Sequence, residues 1–154
     1  MQNADLLKGL DEDATAQVLA LGTRLVLNTG ADLFRLGDAA DNLYLVTRGR
    51  LRLTLPMQVA GREQDVLVEE RSGGETVGWS ALIPPFRYTL TATAALDTEA
   101  IALPREALRR YFGAHPETGY AVSVNLASVV GQRLLVFQAM WVREVQRMVE
   151  ARCA

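Results

Sequence analysis

The sequence predicts a mainly β domain, a sandwich or barrel with flanking helices, and three observations carry that prediction. From Arg24 onward, short strand-like runs (Arg24 to Asn28, Ala31 to Leu36, Asn42 to Thr47) end in Thr29-Gly30, Gly37-Asp38 and Arg48-Gly49, so glycine turn signals recur about every 8–12 residues. Arg50-Leu51-Arg52-Leu53-Thr54-Leu55 alternates at period two, which places its leucines in the core and its Arg and Thr in solvent. Beyond residue 116 the period changes to three and four: Val122, Leu126, Val129, Val130, Leu134, Phe137, Trp141, Val145 and Met148 form one apolar stripe on a long helix.

Each element has a local reason. Asp11 caps a first helix whose opening turn carries Glu12 and Asp13, and Gly22 stops it. Pro56 to Gly61 reads as a hairpin tip leading into a strand from Arg62 to Glu70. Thr98 to Leu103 is the last strand. Pro104 opens a short helix, Arg105 to Phe112, where a missing N–H is harmless. Gly-Ala-His-Pro at 113–116 then breaks the chain before the long helix, from Glu117 to about Arg152. The expected organisation is one domain: a helical lead-in over 1–23, a β-roll over 24–103, a short helix over 104–113 and a long helix over 116–152.

At 154 residues the chain buries a core without disulfides or metals. Net charge −2, with Lys8 the only lysine, argues against a general polyanion binder. The N-terminus lacks the pattern of a signal peptide, no apolar run approaches a membrane span, and Cys153 is the only cysteine, so a soluble cytoplasmic protein is expected. His115 is the only histidine. It sits in the helix-break loop, which leaves no ligand set for a catalytic metal and no Ser-His-Asp or Cys-His arrangement.

The chemically suggestive stretch is Gly73 to Ala94. It holds paired glycines, a third at Gly78, a rigid Pro84-Pro85 and hydroxyls alternating at Thr89, Thr91 and Thr93. Such a turn can present free N–H groups to a phosphate-sized anion, with the hydroxyls as further donors.

This stretch resembles the phosphate-binding cassette of the cyclic-nucleotide-binding domain family, with Gly74, Gly78, Leu82, Thr89 and Ala94 on its pattern. Gly37, Leu43, Tyr44 and Gly49 match the family's second signature, and the two signatures cover most of residues 6 to 113. The resemblance implies a double-stranded β-helix, a jelly-roll-like β-roll, followed by a long C-terminal helix. Two positions depart from it. The family's ribose-binding Glu is Trp79, and its phosphate-pairing Arg falls on Tyr88, with Arg87 one place early and so on the opposite strand face.

The candidate pocket is therefore Gly74, Glu75, Gly78, Trp79, Ser80, Leu82, Arg87, Tyr88 and Thr89. Glu75 is either a substitute ribose contact or an exposed turn residue. Trp79 is either a plug in the sugar site or a stacking platform. Arg87 reaches the pocket only if a bulge returns it. The resemblance implies a non-enzymatic, small-molecule-sensing regulatory module, with a cyclic nucleotide or other small anion as ligand. It further implies a homodimer through the C-terminal helix and a regulatory protein as partner. The rival is a ligand-free dimerising scaffold. The family's transcription factors continue into a helix-turn-helix domain; with the chain stopping at Ala154, DNA reading of that kind is not expected.

Overall fold

The computed structural model describes residues 4–153. After a 3-10 turn at Asp5–Leu7 come α1 (Glu12–Ala20), β1 (Thr23–Leu27), β2 (Asp32–Phe34), β3 (Asn42–Arg48), β4 (Arg50–Val59), β5 (Arg62–Ser72) and β6 (Thr76–Val77). A second 3-10 turn at Trp79–Leu82 precedes β7 (Thr91–Ala94), β8 (Thr98–Pro104), α2 (Arg105–Ala114) and α3 (Pro116–Cys153). The strands form two four-stranded antiparallel sheets, ordered β1-β8-β3-β6 and β2-β7-β4-β5. Their inner faces meet over Leu43, Leu45, Leu51, Leu53, Val77 and Leu103, all buried. This is the mainly β architecture with a long C-terminal helix that the sequence predicts.

Asp11 caps α1 as expected, its Oδ1 accepting from the Ala14 N–H at 2.7 Å. Gly22 then packs so tightly that a Cβ would stand 2.4 Å from Ile101 Cγ2, so this position needs glycine for packing as well as for the stop.

Four local expectations change. The β4–β5 strands continue past Pro56 to Val59 and Arg62, and the tip is the pair Ala60-Gly61, at φ 50° and 75°. Two consecutive positive φ values make the tight hairpin turn whose twist suits antiparallel strands. Pro56 is tolerated because β4 pairs with β7 only over Leu51–Thr54, so no neighbour on that side needs its N–H. Thr54 is buried, because β4 shifts register against β5 between Leu53 and Thr54. Pro104 ends β8 and precedes α2, and that helix runs on to Ala114, which leaves His115 alone as the break before Pro116.

The first half of α3 packs on the domain and the second half stands away. Val122 is buried, a Cβ on Gly119 would meet Phe112 at 2.9 Å, and the Asn125 amide donates to the carbonyls of Leu6 (2.9 Å) and Lys8 (2.8 Å). Beyond residue 133, Leu134, Leu135, Val136, Phe137, Met140, Trp141 and Val142 are exposed. Contrary to the sequence expectation, α3 contains an 18-residue window of mean hydropathy 1.3, long and apolar enough by composition to cross a bilayer. Its inner half is instead tied along one side to the N-terminal turn by the Asn125 bonds and to β5 by Arg133.

Candidate functional site

The cassette is built by a left-handed step. Gly78, at φ 75°, turns the chain from β6 into the Trp79–Leu82 turn, and a Cβ there would press 3.1 Å from Tyr88 Cε1 and 3.3 Å from the Asn42 carbonyl. Only glycine allows that approach. Tyr88 fills the space so created. It is buried, its ring stacks on Phe34 at 3.8 Å between centroids, and its hydroxyl donates to the Asn42 carbonyl at 2.7 Å. Burial, then the neighbouring Tyr44, push the Tyr88 phenol far above its ordinary range, so it stays a neutral donor.

Gly78, Trp79, Ser80, Tyr88 and Thr89 come together, with Phe34, Leu53, Leu90 and Arg133, around a cavity of about 20 Å³. That is room for about one water molecule.

The other candidates lie elsewhere. Gly74 has the positive φ that its turn requires, but its N–H donates to the Val46 carbonyl at 2.8 Å. The Glu75 N–H goes to the Ser72 carbonyl and the Thr76 N–H to Asp5 Oδ2. The paired-glycine turn thus spends these donors inside the protein, where a phosphate nest would leave them free. Glu75 accepts from Arg71 Nη1 at 2.9 Å and from the Ser72 N–H at 2.7 Å, locking the same turn. Leu82 packs against the core at the end of its turn. Arg87 donates to the Gly37 carbonyl at 2.8 Å on the surface, and no bulge returns it to the cavity.

Two of the three threonines tie down β2 and the residues just after it. The strand starts at Thr91, after Thr89 and Leu90; Thr91 Oγ1 accepts from the Leu36 N–H at 3.0 Å, and Thr93 donates to Asp32 Oδ1 at 2.7 Å. That bond is the first cause of an Asp32 carboxyl held below its ordinary value.

On the other side of Trp79 lies a charge cluster that sequence reasoning missed. Arg133, on α3, reaches the β-roll with its guanidinium 5.6 Å from the Trp79 ring centre and in ion-pair contact with Glu69 of β5. Arg71 donates through Nη2 to Glu69 and through Nη1 to Glu75, both at 2.9 Å. The Arg133 side chain is 10% exposed, and burial, reinforced by the Arg71 charge and opposed by Glu69, holds its pKa below the ordinary arginine value. The available signal was Arg133 itself, a cation one residue from an apolar stripe, yet its partner lies 64 positions away and leaves no local pattern.

The geometry matches what comparison with known proteins finds. The profile of the cyclic nucleotide-binding domain matches residues 24–115. The chain belongs to that family. It is 28% identical over 134 residues to Glutaminase 1 of Bradyrhizobium diazoefficiens, covering 87% of this chain and 21% of that one. The solved Thermus thermophilus catabolite activator protein superposes with a TM-score of 0.76 at 27% identity, over 92% of this chain and 63% of that one. The N-terminal domain of a transcriptional regulator from Streptomyces coelicolor A3(2) gives 0.71 at 26%, over 83% and 89%. The family is one of regulatory binding domains, and the chain spans about a fifth of the glutaminase that resembles it.

Proposed function

We propose that this chain is a non-enzymatic regulatory module, working as a homodimer through α3, in which the cassette site is closed to cyclic nucleotides. The observation that carries the reading is the aromatic filling: Tyr88 and Trp79 stand where the family resemblance places the phosphate-pairing Arg and the ribose-binding Glu, around a 20 Å³ remnant. Without the bidentate arginine and the carboxylate, a cyclic phosphate and ribose lose contacts worth roughly 3–6 kcal/mol, or two to four decades in affinity. Calorimetry with cyclic AMP and cyclic GMP is expected to give no saturable binding below about 100 µM; sub-micromolar affinity would overturn the reading.

Dimerisation is supported by the exposed stripe Leu134, Phe137, Trp141 and Met148, an apolar seam of the spacing that pairs helices. Sedimentation should show dimers at tens of micromolar, a usual assay range. Phe137→Glu should yield monomers, because burying two unpaired carboxylates costs on the order of 3–5 kcal/mol. Signalling then follows population shift: whatever binds one position of α3 better than another changes what the dimer presents, by no more than its differential affinity. The scaffold reading shares every feature except that last step.

A further inference from the structure

On the outer half of α3 the exposed apolar residues surround one polar side chain. Gln138 has Leu134 and Leu135 one turn before it and Trp141 and Val142 one turn after, all four more than half exposed. On the polar side of the helix, Gln146 donates to Glu150 Oε1 at 2.9 Å and Arg147 to Glu144 Oε1 at 2.8 Å. The Gln138 amide has no such partner among the described residues. It also stands in line with the apolar seam: Leu134, Trp141 and Met148 recur every seven residues, and Gln138 and Val145 follow the first two by four, the alternation that faces a partner helix. Any surface that covers the four neighbours therefore covers the amide, which then needs both an acceptor and a donor.

We propose that the cover is a second copy of this chain, that the twofold axis of the dimer passes beside Gln138, and that the two Gln138 amides bond to each other and fix the register of the helices. The inference rests on the dimer reading of α3 and deepens it. A carboxamide both donates and accepts, so it is complementary to its own twofold image, as a carboxylate or a guanidinium is not. The four neighbours carry no charge that would call for a different partner. An apolar seam by itself tolerates a slip of one heptad. Gln138 does not, because the slip sets its amide against Val145 or Gly131 and leaves it desolvated and unpaired.

Sedimentation of the full chain and of three variants tests this. Gln138 is exposed in the single chain, as is Arg143 on the polar side of α3, so substitution at either leaves the β-roll intact. Gln138→Glu sets two carboxylates face to face and should give monomers at about pH 7.5, where the wild type dimerises. Dimers should return at about pH 4.5, because a like charge raises a carboxyl pKa above its ordinary value near 4.3 and the protonated pair can bond as the amides do. Arg143→Glu adds the same carboxylate away from the seam and should remain dimeric at both pH values. Gln138→Leu should tighten dimerisation about tenfold and admit species larger than dimers, since a polar seam residue holds register and oligomer state at a cost in affinity. Persistent Gln138→Glu dimers at neutral pH, or unchanged or weaker affinity for Gln138→Leu, would overturn the proposal and leave the dimer reading standing. A monomeric wild type would overturn both.

Discussion

Two regions meet at Trp79, and they treat polar groups in opposite ways. On the cassette side, the Tyr88 hydroxyl, the Gly74, Glu75 and Thr76 amides and both strand threonines have protein partners, and the space between them holds about one water. On the α3 side, Arg71 Nε, Arg133 Nε and Glu69 Oε1 are buried without hydrogen-bond partners beside a 280 Å³ cleft. A region whose turn amides and tyrosine hydroxyl are spent inside the protein and whose volume is filled has the character of core. A region that leaves buried donors and a carboxylate oxygen unpaired carries a polar deficit that the filled side does not.

The largest expected effect comes from breaking the filled side. Tyr88→Ala removes a buried ring stacked on Phe34 and leaves the Asn42 carbonyl without its donor, so urea unfolding should show a loss of about 3–5 kcal/mol. A loss below about 1 kcal/mol would mean that the ring is replaceable and the cassette is not core. Next is the charge cluster. Glu69→Gln strands Arg133 and weakens Arg71, and should cost about 3 kcal/mol. The neighbouring Glu70→Gln touches only the half-exposed Arg50 at 3.5 Å and should cost under about 1 kcal/mol, so comparing the two isolates burial from charge.

Smallest is the acid limb. The Asp32 carboxyl is depressed first by the Thr93 hydroxyl and the Asp97 carboxyl first by the Thr29 N–H. Their contribution is therefore complete above the unfolded carboxylate value, about 3.9, and disappears as pH falls through the lower folded values. Asp32→Asn should flatten that limb of the stability curve without touching either side of Trp79.

The fold was legible because its signals are local. Glycine turns, the Leu51–Leu53 alternation and the Asp11 cap each act within a few residues, and the two sheets follow from them. The hairpin tip was misplaced because Pro56 reads as a breaker until the unpaired side of β4 is known. The candidate site was legible as a stretch but not as a shape: nothing in Gly73–Ala94 reveals that the glycine-turn amides pair with Val46, Ser72 and Asp5, or that Tyr88 spans to Asn42. Arg133, Glu69 and Arg71 meet only because α3 returns across β5, a contact that no window of sequence contains.

The account turns on whether the cassette is closed, and the Trp79 indole N–H reports on it directly. In a ¹H–¹⁵N spectrum its signal, distinguished from that of Trp141 by a Trp141→Phe variant, should stay in place as cyclic AMP is raised to the order of 1 mM. A saturable shift of that signal at micromolar cyclic AMP would contradict the account, showing that Trp79 and Tyr88 yield the site they fill.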